Sequence, residues 1–227
     1  MTFKRGITLY HSPASRAFTA YWLLEELGVR FRVETIDIRK GDQKKPEYMK
    51  LNPSGKVPTV TDGKVVVSEN PAICIYLADR YGYGGLAPRI EDPDRGAYLK
   101  WMVYSTAVLD PLISLHPKHI DLPGTETGFG AFDDMLGVME GALKGRNYLL
   151  GTRFTAADVM LGSTLSAALH RKDLPELPAL MDYNARLARR PAYQRAADAT
   201  WPAKLFAGTY ALSDTTQPAN SAESGAS

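Results

Sequence analysis

A proline and an acid–amide pair give this chain the residue types that could hold a small peptide. Pro58 precedes the β-branched run at residues 59–61, which predicts a strand. A proline at the start of a strand is typical of a tight turn or a cis peptide bond. A cis bond would turn the backbone N–H and C=O of Val57 outward, where they could pair with an extended peptide as an added strand pairs with a sheet edge.

The acid–amide pair, Glu69 and Asn70, lies at a predicted junction between a strand and a helix. The first N–H groups of a helix have no intrahelical partner and the helix dipole is positive there, so the junction attracts a carboxylate. Glu69 offers an acceptor to an ammonium group, and Asn70 offers donors. A ligand that has both a peptide backbone and a free α-amino acid end would satisfy both places.

These segments resemble the thioredoxin-like half of the cytosolic glutathione S-transferases in their residues, spacing and order. The resemblance rests on residues 51–60 and 68–73, with a strand, loop and helix start upstream at 9–28. Residues 149–158 are similar to the start of the central helix in that family's second domain. The similarity covers roughly residues 5–205 in the family's order, which is far more specific than any single motif.

The resemblance implies an α/β thioredoxin-like N-terminal domain, an all-α C-terminal domain and glutathione as the co-substrate. It implies that Val57, ahead of Pro58, pairs with the backbone of the glutathione cysteine and that Lys56 meets the glycine carboxylate. Glu69 and Asn70 would hold the γ-glutamyl amine and carboxylate. Two further side chains could also reach the glycine carboxylate, namely Gln43 and Lys44.

Such an enzyme must hold the thiol of glutathione as a thiolate near neutral pH, although a free cysteine thiol titrates near ~8.5. A hydrogen bond to a charged group is worth about 1.5–3 kcal/mol, so one hydroxyl donor could lower the thiol pKa by roughly one to two units. The loop at residues 12–17 is similar to that of the theta and delta classes, in which the serine at the Ser12 position is the donor. Ser15 stays open as the donor or as a helix N-cap. Tyr10 is a third candidate.

The cysteine content limits which glutathione chemistry is expected. Against the bacterial beta class, Ser15 falls near the cysteine that can form a mixed disulfide with glutathione. The absence of a cysteine there argues against thiol–disulfide exchange as the main reaction. The single cysteine of the chain, Cys74, lies in the apolar stretch 72–77, which predicts a small, buried and inert side chain.

We expect the second substrate between the domains, against the first long helix of the C-terminal half. The predicted pocket residues are Tyr10, Trp101, Tyr104, Leu109, Leu112 and His116, with Trp201 and Phe206 as lids. His116 and His119 are not joined in sequence by a cluster of carboxylates or cysteines, so no metal site is expected.

Hydrophobic periodicity predicts the elements that must position these residues. They are a strand at 7–10, a helix at 17–27, a strand at 31–37, a hairpin at 57–68 and a helix at 70–81. Gly28 is the stop signal of the first helix. In this order the first two strands pair in parallel and the hairpin is antiparallel.

Glycine and proline enrichment at residues 83–92 predicts a linker between a glutathione-binding domain at 1–82 and a helical domain at 93–212. The helices predicted in the second domain span 93–115, 132–143, 156–169, 178–189 and 193–198. Thr155 and Asp158 form a capping box at the start of the third of these helices. Residues 213–227 have no aromatic or large aliphatic side chain, which predicts disorder.

Composition narrows the set of partners. The 227 residues suit one or two compact domains, and 27 basic against 25 acidic residues leave a net charge of only +2. No nucleic-acid partner is therefore expected. One cysteine excludes an internal disulfide and favours a reducing, cytoplasmic setting, and no apolar stretch predicts a signal peptide or a membrane span. The resemblance implies a homodimer.

The expected function is that of a glutathione transferase that conjugates the thiolate to a hydrophobic electrophile, as in detoxification. Alternatives on the same site are a glutathione-dependent peroxidase or reductase and an ether-cleaving enzyme. A non-catalytic binding protein of the same fold is the alternative from another class. The retained polar residues Lys56, Glu69 and Asn70 weigh against it.

Overall fold

A computed structural model describes residues 6–120 and 122–201. The N-terminal half of the described chain contains a four-stranded mixed sheet. Its strands are β1 (Ile7–His11), β2 (Phe31–Thr35), β3 (Thr59–Asp62) and β4 (Val65–Ser68). The order is β2-β1-β3-β4, with β1 parallel to β2 and β3 antiparallel to β1 and β4. The predicted thioredoxin-like sheet is confirmed. β2 ends before residue 37 because the Asp37 carboxylate accepts the N–H of Arg39 at 3.1 Å and closes a turn.

Three α-helices and a 3₁₀ turn, Asp42–Lys44, complete this half of the described chain. The α-helices are α1 (Ala17–Leu27), α2 (Pro46–Met49) and α3 (Asn70–Tyr81). α1 ends where predicted because Gly28, at φ 63°, donates its N–H to the carbonyl of Glu25 at 3.2 Å. Leu9 of β1, Leu23 of α1 and Leu77 of α3 are fully buried in one hydrophobic core. The sheet therefore holds the loops at the ends of β1 and β4 on a rigid base.

The rest of the described chain is helical, as predicted. Its helices are α4 (Arg95–Tyr104), α5 (Asp110–Leu115), α6 (Phe132–Leu143), α7 (Ala156–His170), α8 (Pro178–Ala188) and α9 (Pro191–Thr200). A short 3₁₀ turn, His116–Lys118, follows α5. α9 begins earlier than predicted because Pro191 occupies its first turn, where a missing N–H costs nothing.

The predicted continuous helix at 93–115 is wrong in its middle. Ser105–Leu109 forms a π-helical stretch between α4 and α5, and the N–H of Asp110 bonds to the carbonyl of Ser105, five residues back. Pro111 explains the break, because it has no N–H and its ring would clash with the carbonyl four residues earlier in a regular helix. The π-helical stretch changes which side chains α5 turns toward the N-terminal half.

The capping box predicted at the start of α7 is confirmed. Asp158 is fully buried, and its Oδ2 accepts the N–H of Thr155 at 2.8 Å. Its Oδ1 accepts the N–H of Leu149 at 2.8 Å and the hydroxyl of Tyr183 at 2.9 Å. One carboxylate thus joins the loop before α7, the start of α7 and the side of α8.

The two halves meet along α1. Arg190 makes two hydrogen bonds to the Glu26 carboxylate, at 2.6 and 2.7 Å, and its guanidinium lies 3.5 Å from the Phe154 ring centre. Gly162 of α7 lets its backbone approach Trp22 of α1, since any side chain there would meet Trp22 and Leu187. The halves are therefore joined by a paired charge and by close packing.

Several expectations concern the chain outside these elements. No helix in the described ranges is long and apolar enough to cross a membrane. α3 ends at Tyr81 and α4 begins at Arg95, but the domain boundaries themselves stay predictions. Phe206 and the segment at 213–227 lie outside the described residues, so the predicted lid and the predicted disorder stay predictions as well.

Candidate active site

The loop before β3 presents an unpaired stretch of backbone. The Val57–Pro58 peptide bond is cis, which is one of the two alternatives that the sequence predicted, a tight turn or a cis bond. The carbonyl of Lys56 accepts the Tyr48 hydroxyl at 2.6 Å and the Asn52 side-chain amide at 2.9 Å. The N–H and C=O of Val57 have no partner among residues 6–120 and 122–201. A fixed backbone with both groups free is what an added peptide strand needs.

Glu69 occupies an unusual backbone conformation at the other end of this hairpin. Its φ is 67° and its ψ is 122°, a combination that a residue with a side chain rarely adopts. Such conformations persist where the surroundings impose them, and they cluster at binding sites. The exposed Glu69 side chain stands directly before the first N–H groups of α3.

Asn70 is buried and faces both the start of α1 and a cavity. Its side-chain amide donates to the carbonyl of Arg16 at 3.0 Å, while its Oδ1 has no partner among the described residues. One of the donors expected to serve a ligand is therefore used to tie α3 to α1. A buried acceptor without a donor suits an ammonium group.

The two loop serines differ in what their hydroxyls do. The Ser15 hydroxyl donates to the carbonyl of Ser12 at 2.6 Å and accepts the N–H of Ala17, the first residue of α1, at 3.2 Å, so it is engaged in the turn before that helix. Ser12 is buried, yet its hydroxyl makes no hydrogen bond to any residue that the structure describes. Of the two, Ser12 is the one with a donor still available.

The end of α9 is fastened to the same loop. The N–H of Ala14 donates to the carbonyl of Thr200 at 3.0 Å, and His11 Nε2 lies 3.2 Å from the Thr200 hydroxyl. His11 and Thr200 are both buried. Burial lowers the pKa of His11 to about 4, so the imidazole is neutral at pH 7. We call these two contacts the α9 latch.

The candidates for the glycine carboxylate lie on one side of the Val57 loop. Lys44 Nζ donates to the carbonyl of Ser54 at 3.2 Å, and the Lys56 side chain is exposed. Gln43 donates to the carbonyl of Ile38 at 3.3 Å, and its Oε1 is buried without a partner among the described residues. The Gln43 amide thus donates within the protein. Lys44 and Lys56 remain as the candidates to bind the glycine carboxylate.

The residues predicted to line the second-substrate pocket occupy other places. Trp101, Leu109 and Leu112 are at most 6% exposed and belong to the hydrophobic core. Tyr104 packs edge-on against Trp101, Tyr10 packs edge-on against Tyr48, and His116 stacks on Phe132 at 3.6 Å. None of these six residues lines the cavity between the two halves of the chain, whereas Trp201 does.

That cavity has a volume of about 420 Å³. It lies between the start of α1, the segment at residues 106–118 that contains α5 (the α5 region), and α7. Its charged wall residues are Arg16, Asp110, Lys118, Arg171 and Asp173. Its larger apolar wall residues are Phe18, Ile113, Met160 and Trp201. Ser15 and Asn70 also line it, so the cavity adjoins the loop that contains Ser12.

Sequence reasoning did not identify this wall because it selected the other face of the helical segment at residues 101–116. Trp101, Leu109 and Leu112 pack in the core, whereas Asp110, Ile113, Ser114, Pro117 and Lys118 line the cavity. The spacing of Thr106, Asp110, Ile113 and Pro117 would have found the second face, since these residues also recur at helical intervals.

Comparison with known proteins agrees with this geometry. Residues 5–79 match the family profile described as "Glutathione S-transferase, N-terminal domain", and residues 122–196 match the one described as "Glutathione S-transferase, C-terminal domain". Glutathione S-transferase F10 of Arabidopsis thaliana is 31% identical over 168 residues, which cover 67% of this chain and 76% of that protein. The chain belongs to the glutathione S-transferase family. The resemblance seen in the sequence is confirmed.

Two other relatives of this family member bear on its chemistry. Disulfide-bond oxidoreductase YfcG of Escherichia coli is 26% identical over 201 residues, covering 82% of this chain and 92% of that protein. The crystal structure of a theta class glutathione S-transferase from Xanthomonas axonopodis pv. citri, with glutathione bound, is similar with a TM-score of 0.70. Its sequence is 32% identical, and the match covers 85% of this chain and 97% of that one.

Proposed function

We propose that this protein binds glutathione along Val57 and Glu69 and transfers its sulfur to an electrophilic carbon, with Ser12 stabilising the thiolate. The observation that carries the proposal is Ser12, a buried residue before the start of α1 whose hydroxyl has no hydrogen-bond partner among the described residues. The neighbouring Ser15 hydroxyl is already engaged twice. A theta class relative of known structure has glutathione bound, which supports the choice of ligand.

The binding contacts follow from the groups left unpaired. The glutathione cysteine pairs with the free N–H and C=O of Val57, as a strand adds to a sheet edge. The α-carboxylate of the γ-glutamyl residue meets the first N–H groups of α3. The α-ammonium group of the same residue meets Glu69 and Asn70 Oδ1. The glycine carboxylate meets Lys56 or Lys44.

Catalysis then requires a thiolate held toward the cavity. The Ser12 hydroxyl donates to the sulfur, and the N-terminal end of α1 adds the positive end of its dipole. The thiol proton leaves to water before attack. The sulfur forms a bond to the electrophilic carbon of a substrate in the cavity, and the leaving group departs with the electron pair of the broken bond.

The decisive experiment titrates the ultraviolet absorbance of the thiolate of bound glutathione in the parent protein, in Ser12→Ala and in Ser15→Ala. We expect Ser12→Ala to raise the apparent thiol pKa by about one to two units, because one hydrogen bond to the charged sulfur is lost. Ser15→Ala is the matched control. It removes the hydrogen bonds of the Ser15 hydroxyl in the turn before α1, so it should lower the free energy of unfolding by about 1 kcal/mol and leave the thiol pKa near that of the parent.

Two outcomes would reject the proposal. If both variants keep the parent's thiol pKa, no serine activates the thiol. If only Ser15→Ala raises it, the assigned hydroxyl is wrong. Calorimetry with glutathione precedes the titration, because absence of uptake at millimolar concentration would remove the binding site altogether.

Glutathione-dependent reduction is the second candidate, and the relationship to YfcG favours it. Cys74 is fully buried, so a mixed disulfide with this cysteine would require opening of the core. A reductase built on this chain would therefore use glutathione thiolates alone. Comparing reduction of a disulfide or hydroperoxide with conjugation of an electrophile, at equal glutathione concentration, separates the two functions.

The expected homodimer and the expected cytoplasmic location stay predictions. The described residues contain no group of three or more His, Cys, Asp or Glu side chains placed to hold a metal ion.

A further inference from the structure

The cavity between the two halves carries an excess of positive charge. Its two aspartates are each paired with an arginine: Asp110 with Arg16 Nη2 at 2.6 Å, and Asp173 with Arg171 Nε at 2.6 Å. Lys118 also lines the cavity and has no ion-pair partner among residues 6–120 and 122–201. Within the described part of the chain, the wall therefore offers one uncompensated ammonium group.

The two paired arginines also keep donors for a ligand. A guanidinium has five N–H groups, and each of these arginines uses one nitrogen for its aspartate. The side chain of Arg16 is 65% exposed and that of Arg171 is 45% exposed, so neither is sealed within its ion pair. The N-terminal end of α1 reaches the same cavity and is positive as well.

The rest of the wall suits a ring or another compact apolar body. Phe18, Ile113, Met160 and Trp201 supply apolar surface. The Ser163 hydroxyl donates to the carbonyl of Val159 at 2.6 Å within its own helix, so it is not a free donor toward the cavity. A volume of about 420 Å³ lies within the range of small-molecule sites.

We propose that the second substrate is an electrophile that carries a carboxylate on an aromatic or otherwise apolar body, with Lys118 binding the carboxylate. Arg16 and Arg171, whose charges are balanced by Asp110 and Asp173, offer their remaining N–H donors to the same carboxylate. This inference deepens and rests on the proposed function, because Ser15 and Asn70 place the cavity beside the thiolate site. It narrows the hydrophobic electrophile expected from the sequence to an anionic one.

A matched pair of substrates tests the charge requirement directly. 1-Chloro-2,6-dinitrobenzene is neutral, and 4-chloro-3,5-dinitrobenzoate has the same chlorine-bearing carbon, flanked by two nitro groups, with a carboxylate opposite it. In both, the thiolate forms a carbon–sulfur bond and chloride leaves with the electron pair. Each kcat/KM is divided by the spontaneous rate constant with glutathione at the same pH, since the two compounds differ in intrinsic reactivity.

We expect the normalised ratio of benzoate to neutral substrate to exceed one in the parent and to fall by about fivefold in Lys118→Gln, the size expected for one partly exposed ion pair. Raising the salt concentration should lower the parent's ratio toward that of the variant. Lys118→Arg should retain most of the ratio. Lys144→Gln is the control, because Lys144 is exposed at the end of α6 and does not line the cavity.

Binding of the unreactive 3,5-dinitrobenzoate, measured by calorimetry with S-methylglutathione present, makes the test independent of turnover. About fivefold weaker binding in Lys118→Gln than in the parent supports the inference. Equal binding in the two proteins, no binding in either, or a substrate ratio that Lys118→Gln leaves unchanged overturns it. Failure of glutathione itself to bind would instead overturn the proposed function.

Discussion

Replacing Asp158 by asparagine should destabilise the protein less at pH 7 than at pH 4.5. The carboxylate is fully buried and accepts N–H groups of Leu149 and Thr155 and the hydroxyl of Tyr183. Asparagine keeps one acceptor oxygen and turns the other into an NH₂ group. At least one buried donor then loses its acceptor, which costs about 1–3 kcal/mol.

The pH dependence follows from the pKa of this carboxyl. Burial raises the pKa of Asp158 to about 6 from its ordinary value of 3.8, against the opposing effect of the hydrogen bonds that it accepts. Between these two values the unfolded chain is ionised while the folded protein still holds the proton. The stability from this group is therefore fully present below the unfolded pKa and is lost as the pH rises through the folded one.

The expected size can be worked out from the two pKa values. With one pKa unit worth about 1.4 kcal/mol, the contribution of Asp158 to the free energy of unfolding falls by about 2 kcal/mol between about pH 4.5 and pH 7. Asparagine does not ionise, so the difference between parent and Asp158→Asn should shrink by that amount. Equilibrium unfolding in urea at several pH values measures it.

Asp182→Asn is the matched control, because Asp182 is exposed on α8 and has no ion pair in the described structure. Its difference from the parent should be small at every pH. A difference for Asp158→Asn that stays constant or grows as the pH rises would refute the reasoning, because the folded protein would then hold Asp158 ionised.

Two further predictions concern buried positions. Burial raises the pKa of the Cys74 thiol to about 12, so Ellman's reagent at pH 8 should label this single cysteine far more slowly in folded than in urea-unfolded protein; equal rates would contradict its burial. Gly162→Ala should lower the free energy of unfolding by about 1–3 kcal/mol, because the new methyl group overlaps Leu187. Gly137→Ala on α6 should instead raise the free energy of unfolding by up to about 1 kcal/mol from helix propensity, because the new methyl group would have no neighbouring atom within 4 Å. An equal loss of stability in both variants would contradict the role of the Leu187 overlap.

The sequence was most informative where local chemistry decides the structure. The end of α1 at Gly28 and the capping box of Asp158 both follow from residue types within a few positions. The cis bond at Val57–Pro58 was one of two alternatives predicted for the same reason. These features depend on backbone conformation and turn chemistry, which short segments encode.

Features that depend on distant contacts were beyond the sequence. The Arg16–Asp110 pair and the α9 latch join residues far apart in the chain, and no local pattern distinguishes them from solvated side chains. The two faces of the α5 region are each apolar in part, so periodicity alone did not decide which one packs in the core. Pro111 was a usable signal for the π-helical stretch, and a strict reading of proline in a helix would have placed the break there.

The α9 latch has a consequence for anyone shortening this protein. His11 owes its low basicity to being covered, and Thr200, near the far end of the described chain, is one of the groups that cover it. A version trimmed ahead of that threonine would open the imidazole to water and return its titration toward ordinary histidine behaviour. The imidazole, one residue from Ser12, would then gain and lose a positive charge across the physiological pH range. The trimmed enzyme would respond to pH at this position, whereas the intact protein keeps His11 neutral.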